Sequence, residues 1–384
     1  MELNLLTSFL PLLVLLSWLQ PCKFEYVPEV QLCPYLNGSI DSLSHNPVII
    51  PGFEKCGTTE LFSILNISGC FNVAHKKELK FLNRFCVPKR VVSGKKIEIS
   101  KFKYCPAVRD CMQLSDYLQC WPGALAAPPL DGTPAYSHTI LLKQKKLVSA
   151  AKELNYLSPL SKSIWLLRNP VERTISSYHF FRVGDRYEKC TLVNKINQEI
   201  TFLKENDWLT KLFLNSPSDV SEDKMALAWA RLRSKFRKFG YRSSSAKCPA
   251  TPEIVIGSLY LPMLVHWVST IKFAQHMILS SDYFFANSAF VVSEYILPFI
   301  FESKEVRKLQ SLEKKALESH VRFSNRGNYV SKNNDANCLL ACFYSPFTVN
   351  LRRWIEFYEK KRRIVVHPAT DVFHWDIDQS CHCK

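Results

Sequence analysis

A short segment near residue 55 combines glycines, hydroxyl groups and a lysine at the spacing of an anion-binding loop. It reads Gly52-Phe53-Glu54-Lys55-Cys56-Gly57-Thr58-Thr59 and lies between the apolar run 47–51 and a helical pattern that starts at Thr59. Backbone N–H groups and the helix dipole at such a turn attract anions. A nucleoside-triphosphate loop carries lysine directly after its second glycine. This chain has Thr58 there, so the pattern weighs against an ATPase.

A second segment pairs an arginine with a hydroxyl group at the start of another predicted helix. The apolar run 163–167 ends in Arg168-Asn169-Pro170, and proline is favoured in the first turn of a helix. Arg168 would present a planar, permanently charged donor group that suits a phosphate, and Ser176 would add a hydroxyl from the second helical turn. An R-x-P turn before a helix is common, so on its own this segment is a candidate anion site and equally an ordinary helix start.

The elements that must position these residues alternate between strands and helices. Residues 277–280 form a third apolar run of strand length. This alternation predicts a parallel sheet covered by helices on both faces, with ligands at the carboxyl ends of the strands. Residues 182–248 have many charges and no clear strand, and they are predicted to form an insert of helices and loops. Residues 351–358 predict a further helix.

The composition limits the classes of protein and of partner. The chain has 384 residues, a hydrophobic fraction of 47% and only 11 glycines, which excludes a fibrous or disordered protein and predicts one large domain. Its formal charge of +16 attracts polyanions. The basic runs 143–146, 231–238 and 360–363 are candidate contacts for such a partner, although most charge runs are only solvated faces.

The amino-terminal residues indicate the secretory pathway. Residues 3–19 are almost uninterruptedly apolar, with a length between that of a signal-peptide core and that of a membrane span, so a cleaved signal and a short signal anchor both fit. The 14 cysteines are then expected to form disulfides rather than to bind metal, and nucleic acid is disfavoured as a partner. Sequons at Asn37 and Asn66 agree with a luminal location.

The loop and the strand-end arginine together resemble a known family. The pattern P-G-F-x-K-C-G-T-T-x-L-F at residues 51–62 resembles the 5′-phosphosulfate loop of the Golgi carbohydrate sulfotransferases, especially the N-acetylgalactosamine 4-sulfate 6-O-sulfotransferase branch. Residues 163–178 resemble the second signature of this family, a strand followed by R-D-P-x-E-R-x-x-S-x-Y, with Asn169 in place of the acidic residue. With gaps, the resemblance runs from about residue 47 to residue 358.

The resemblance implies a fold, a donor and roles for individual residues. The fold is a three-layer α/β/α domain of the P-loop NTPase-like sulfotransferase type with a central parallel sheet. The donor is 3′-phosphoadenosine 5′-phosphosulfate (PAPS), and no metal is used. Lys55 would stabilise the charge that builds on the bridging oxygen, while Arg168 and Ser176 would bind the 3′-phosphate. The other donor-binding residues that the family implies are Cys56, Gly57, Thr58 and Thr59 in the first loop and Arg326 and Gly327 in a late loop.

The family also implies residues for the acceptor. The segment His75-Lys76-Lys77-Glu78-Leu79-Lys80 resembles the family's K-E-P-H-F-F, with its proline and histidine replaced. The glutamate of that segment deprotonates the acceptor hydroxyl, so Glu78 is the expected general base and His75 the alternative. Asp131-Gly132-Thr133 is similar to a turn beside the acceptor, where Asp131 would orient sugar hydroxyls or Lys55, although a plain Asp-Gly turn fits equally well. Lys80 is a further candidate contact for the acceptor.

These interpretations combine into one hypothesis for the whole chain. Residues 1–22 would be a signal peptide or anchor, 23–45 a short stem, 46–360 the sulfotransferase domain with its insert 182–248, and 361–384 a basic tail that contains cysteines. The isolated Cys381-His382-Cys383 of this tail does not predict a metal site. The protein would be a type II membrane protein of the Golgi lumen or, if cleaved, secreted.

The predicted reaction is transfer of a sulfuryl group from PAPS to a carbohydrate hydroxyl. The acceptor would be an anionic glycan, a glycosaminoglycan such as chondroitin or dermatan sulfate. Two alternatives stay open: a catalytically weak glycan-binding protein of the same fold, and a P-loop nucleotide kinase. The acceptor, the sulfated position and the oligomeric state are not determined by the sequence.

Overall fold

The computed structural model describes most of the chain between residues 46 and 383. The described residues are 46–74, 77–83, 127–143, 146–181, 183, 190–242, 248–249, 251–271, 275–301, 334–367, 375, 381 and 383. They belong to one compact unit, Gln31–Lys384. The apolar segment 3–19 and the stem lie outside them. No helix in the described ranges is long and apolar enough to cross a membrane.

A six-stranded parallel sheet forms the centre of the molecule, in the order β2-β3-β1-β6-β7-β8. Two further strands, β4 and β5, pair as an antiparallel hairpin. The strands are β1 Val48–Gly52, β2 Asn72–Val73, β3 Pro129–Asp131, β4 Ile140–Lys143, β5 Lys146–Ser149, β6 Lys162–Leu167, β7 His276–Ser280 and β8 Ile364–His367.

Helices follow most strands and flank the sheet. They are α1 Thr58–Ile67, α2 Ala150–Leu157, α3 Pro170–Phe180, α4 Leu192–Glu205, α5 Asp207–Thr210, α6 Glu222–Arg242, α7 Leu261–Thr270, α8 Ser281–Ala286, α9 Ser288–Val291, α10 Leu297–Phe301 and α11 Asn334–Lys360.

The central strands show that both faces of the sheet are covered. Successive side chains of a strand point to opposite faces. Every residue of β1 and β7 is nevertheless buried, so material packs on each side. The predicted α/β/α class with a central parallel sheet is therefore confirmed. The three apolar runs of the sequence became β1, β6 and β7, each within one residue of its predicted bounds.

The carboxyl-terminal boundary predicted at residue 360 differs from the structure. Strand β8, Ile364–His367, belongs to the central sheet and pairs with β7. The core therefore extends into the segment that the sequence assigned to a tail. This strand has only four residues and follows a basic run, so its apolar pattern is too short to stand out from its surroundings.

Disulfides tie the carboxyl-terminal segment and the insert to the core. Cys338–Cys381 and Cys342–Cys383 attach the last cysteines of the chain to α11, four residues apart along the helix. Cys190–Cys248 joins the two ends of the segment that carries α4, α5 and α6. The described part of this segment is helical, as predicted. Its first helix holds a fully buried Lys195–Glu199 ion pair of 3.1 Å.

A buried histidine between two central strands makes the fold sensitive to acid. The carbonyl of Ile271 can only accept, so His276 Nε2 donates to it at 3.3 Å, and Nδ1 accepts from Ser163 Oγ at 2.7 Å. Trp165 Nε1 donates to the same Ser163 oxygen at 2.9 Å. The ring is thus neutral in the folded state, and burial lowers the pKa of His276 from 6.5 to about 4.

We predict that stability falls on acidification from about pH 6.5 to pH 4. In this window the unfolded chain binds a proton at His276 and the native state does not, so protonation favours unfolding. At pH 5 the loss from this group should be on the order of 2 kcal/mol. Urea unfolding at pH 7.5 and pH 5 would measure it, with His276→Asn as the control that removes the group. An equal acid loss in both proteins would contradict the assignment.

Candidate active site

The loops after β1 and β6 meet at the carboxyl edge of the sheet. From β1 the chain leads through α1 to β2 and β3 on one side, whereas β6 lies on the other side of β1. This is the switch point at which parallel α/β sheets bind ligands. Phe53 N donates to Leu166 O at 3.2 Å, and Arg168 Nη1 lies 3.5 Å from Lys55 O. The structure thus brings together the two segments that the sequence assigned to anions.

The loop after β1 has the backbone of an anion cradle. Gly57 precedes α1 with φ 93°, and a Cβ atom there would lie 2.5 Å from the Phe285 ring, so only glycine fits without rearrangement. No side chain caps α1, which leaves its amino-terminal N–H groups for a ligand. Thr58 is buried and Thr59 is exposed at this end of the helix.

Lys55 carries the positive charge of this loop. Its backbone is left-handed with φ 67°, and its ammonium group lies over the ring of Phe180, 3.6 Å from the centroid. Burial lowers the pKa of Lys55 below its usual value, and the charges of Arg168 and Arg173 lower it further. Three cationic side chains in one region attract a multiply charged anion.

Arg168 lies directly after β6, half-buried, with its guanidinium group on the surface of α3. Its Nε and Nη2 atoms donate to Glu172 Oε2 at 3.0 and 2.8 Å. An exposed pair of this kind contributes little stability, because solvent screens it. A phosphate could therefore replace Glu172 at small cost.

The remaining residues predicted for the donor are differently placed. Ser176, on α3, is buried. Cys56 is a free, fully buried thiol 3.6 Å from Tyr260 Oη, and burial raises its pKa, which fits a packed side chain rather than a nucleophile. Arg326 and Gly327 lie outside the described residues, so their assignment stays a prediction.

The segment that carries Glu78 lies beside the start of α1. Lys77 Nζ donates to Thr58 Oγ1 at 3.4 Å, and Gly132 N donates to Lys77 O at 3.1 Å. Glu78 follows, exposed, with its carboxylate 3.6 Å from Lys77 Nζ and 3.7 Å from Lys80 Nζ. These contacts place a carboxylate on a backbone that is fixed to the anion loop. His75, the alternative base, lies outside the described residues.

Asp131 lies deeper than its predicted role requires. Its side chain is fully buried, and its two oxygens accept from Thr133 Oγ1 at 2.6 Å and Tyr136 Oη at 2.7 Å. The carboxylate of Asp131 thus supports the turn after β3. Within this turn, Thr133 Oγ1 accepts a hydrogen bond from the Lys80 N–H group at 3.3 Å. A direct contact with a sugar would have to displace these bonds.

Three residues of the site had no role predicted from the sequence. One is Lys77, whose pKa is lowered mainly by burial. Arg173 is buried and donates to Glu54 O at 3.1 Å, which fixes the anion loop. Tyr260 donates to Arg168 O at 2.9 Å. These contacts join residues far apart in the chain, so no local spacing signals them.

The basic run 231–238 is partly structural. Arg233 is buried, bonds to the carbonyl of His138 and pairs with Glu253, which also accepts from Arg237 Nε at 3.1 Å. These two arginines hold α6 to the core, while Arg231 and Lys238 are exposed. Only the exposed members of this run therefore stay candidates for contact with a polyanion. In the described residues no cluster of His, Cys, Asp and Glu could hold a metal ion.

Both predicted sequons remain predictions. Asn66 is exposed near the carboxyl end of α1, and the Ser68 side chain of its sequon is buried. Asn37 lies outside the described residues.

Comparison with known proteins identifies no close relative. No family model matches the chain, and no curated protein matches it. Among solved structures, a sulfotransferase from Alicyclobacillus acidocaldarius is similar, with 16% identity and a TM-score of 0.43 over 81% of this chain and 96% of that one. At this TM-score the likeness carries no argument about function, which must rest on the site itself.

Proposed function

We propose that the protein is a PAPS-dependent sulfotransferase that acts on carbohydrate hydroxyl groups. One observation carries the proposal: Lys55 and Arg168, from the turns after neighbouring parallel strands, converge where α1 begins without a side-chain cap. PAPS has a 5′-phosphosulfate and a separate 3′-phosphate, so a site for it requires two cationic groups of this kind. The loop and strand motifs that resemble sulfotransferases contain these same residues.

The proposed chemistry is an in-line displacement at sulfur. The acceptor hydroxyl oxygen forms a bond to sulfur as the bond from sulfur to the bridging oxygen breaks, and adenosine 3′,5′-bisphosphate leaves. Glu78 takes the hydroxyl proton, since a sugar hydroxyl is a poor nucleophile until it is deprotonated. Lys55 stabilises the charge that develops on the bridging oxygen. Arg168, with the hydroxyl of Ser176, holds the 3′-phosphate.

A nucleotide kinase is the weaker candidate for the same loop. It would need a lysine directly after Gly57, where Thr58 is found. Lys77 Nζ contacts Thr58 Oγ1. Lys77, however, belongs to the segment of Glu78, whereas the lysine of a kinase loop belongs to the start of the following helix. A glycan-binding protein without turnover is the other candidate, because donor-type motifs alone do not require catalysis.

The proposed acceptor is an anionic glycan of the glycosaminoglycan type. The formal charge of +16 favours association with a polyanion, and salt should weaken acceptor binding by screening. The disulfides Cys190–Cys248, Cys338–Cys381 and Cys342–Cys383 are compatible with an oxidising compartment. We propose the Golgi lumen or secretion as the location, with residues 3–19 as a signal or anchor.

Two assays on the purified protein test the proposed function. Calorimetry with adenosine 3′,5′-bisphosphate measures the nucleotide site, and radiolabelled sulfate transfer from PAPS to chondroitin, dermatan, heparan and neutral oligosaccharides measures turnover. We expect nucleotide binding and transfer to an anionic glycan. Nucleotide binding without any transfer would favour the binding-protein alternative. ATP-dependent phosphoryl transfer without PAPS binding would favour the kinase.

Arg168→Ala should raise the KM for PAPS roughly tenfold to a hundredfold. The substitution removes a charge-assisted contact that is made in both the ground state and the transition state, so kcat should change less. Initial-rate kinetics with varied PAPS measure both constants. Glu172→Gln is the matched control, because it leaves Arg168 charged and removes the carboxylate that competes for it. It should leave the KM unchanged or lower. An unchanged KM in Arg168→Ala would place the 3′-phosphate elsewhere.

A further inference from the structure

Phe180, the last residue of α3, is an exposed aromatic residue with no evident role in the core. Its side chain is 58% exposed. A single exposed apolar side chain is ordinary by itself, so any role of Phe180 depends on what its ring contacts. It lies one helical turn after Ser176, on the same face of α3. Its ring therefore borders the proposed 3′-phosphate site.

The ring of Phe180 is in direct contact with the ammonium group of Lys55. Nζ lies 3.6 Å from the ring centroid, well inside the distance at which the negative face of an aromatic ring attracts a cation. Among the described residues no carboxylate oxygen lies within 4.0 Å of Lys55 Nζ. The ring face is thus a direct, specific stabilising contact of this charge in the absence of donor.

The other charged and titratable groups around Lys55 act in both directions. Arg168 in the turn after β6 and Arg173 on α3 disfavour its charged form, while Glu54 and Cys56 in its own loop favour it. Burial, the largest influence, also disfavours the charge. Without a compensating favourable contact, the ammonium group of Lys55 would lose its proton at a lower pH than an exposed lysine does, or its side chain would turn out into solvent.

We propose that Phe180 is a positioning residue for Lys55 and that the face of its ring holds the Lys55 ammonium group at the anion site. Only the effect of this contact on catalysis rests on the proposed function. The contact itself belongs to the protein without ligand. When the donor binds, its negative charge takes over the stabilisation, and the ring then limits where the ammonium group can go.

The test measures the protonation of Lys55 directly, in the full-length protein without donor. Competitive acetylation of lysine amines across pH 7 to 11, with mass spectrometry of the peptide that contains Lys55, gives its pKa. Phe180→Leu keeps an apolar side chain but removes the ring, and it should lower that pKa by about half a unit to one unit. Phe180→Trp should restore it, because a larger ring retains the contact.

Trp208→Leu is the matched control. Trp208 is 55% exposed and carries a similar contact with Lys235 at 5.3 Å on the helical insert. Its loss should leave the Lys55 peptide unchanged. An equal Lys55 pKa in wild type and Phe180→Leu would overturn the proposal, as would a loss that Phe180→Trp does not reverse.

Turnover provides the second reading. In an active enzyme the alkaline limb of kcat/KM should move to lower pH in Phe180→Leu by the same amount, since this parameter reports the free enzyme. A shift in acetylation together with no sulfuryl transfer by wild type would uphold the role of Phe180 and defeat the proposed function. Sulfuryl transfer by wild type, with no shift in Phe180→Leu of either the acetylation pKa or the alkaline limb, would support the proposed function and overturn the role of Phe180.

Discussion

Lys55→Ala should reduce sulfuryl transfer by about a hundredfold or more while adenosine 3′,5′-bisphosphate still binds. The reason is that charge on the bridging oxygen grows only as its bond to sulfur breaks, so a cation aimed there stabilises the transition state more than the ground state. The structure places Lys55 in the loop between β1 and α1, on a backbone that Arg168 and Arg173 also contact. Its removal leaves the amides of the loop in place for the 5′-phosphate.

The measurement is kcat with saturating PAPS, beside calorimetry with the product nucleotide. Lys55→Arg separates charge from shape, since it keeps the charge and should retain part of the activity. Lys211→Ala removes an exposed lysine that pairs with Asp207 on the surface and serves as the control for the loss of one positive charge. Turnover close to wild type in Lys55→Ala would refute the role in charge stabilisation.

Glu78→Gln should lower kcat by roughly a hundredfold to ten-thousandfold with little change in PAPS affinity. The amide keeps the size of the carboxylate and much of its hydrogen bonding, but it cannot accept the acceptor's proton. In the structure the carboxylate lies between Lys77 and Lys80. These ammonium groups also place positive charge where the anionic glycan is proposed to bind.

Glu356→Gln, an exposed substitution on α11, controls for the loss of one negative charge. Sulfate transfer measured with saturating acceptor gives kcat for each variant. Were Glu78→Gln as active as wild type, the base would have to be another group, and His75 or Asp131 would be next in turn. For Asp131 that outcome would require its bonds to Thr133 and Tyr136 to open during the reaction.

Much of the fold was predictable because its central strands are buried on both faces. A strand of this kind must be apolar throughout, and β1, β6 and β7 stand out for that reason. Strands β2 and β8 have two and four residues and lie at the edges of the sheet, where the apolar pattern weakens. Their pairing depends on contacts across the chain, which no local pattern records.

The candidate site was predictable in part, for a different reason. Anion loops depend on neighbouring residues, so Gly57, Lys55 and Arg168 can be recognised from short segments. The residues that support this loop cannot be recognised in this way. Arg173 donates to Ile254 O at 3.0 Å across 81 positions, and a Cβ atom on Gly257 would lie 2.6 Å from its Nη1 atom. The burial of Asp131 likewise follows from packing, which the Asp-Gly pair alone does not reveal.

The disulfide Cys190–Cys248 defines a splice point for building chimeras. Its two Cα atoms are 4.8 Å apart although 58 positions separate them, so a foreign segment would need only closely spaced ends to be grafted there. The graft would also have to replace Glu199, whose carboxylate accepts from the N–H groups of Ile254, Val255 and Ile256 at 2.9 Å each. Those residues lead into the turn that holds Arg173. A transplanted segment without an equivalent carboxylate would leave these three N–H groups unpaired. It would thereby weaken the support of Arg173, which donates to the anion loop.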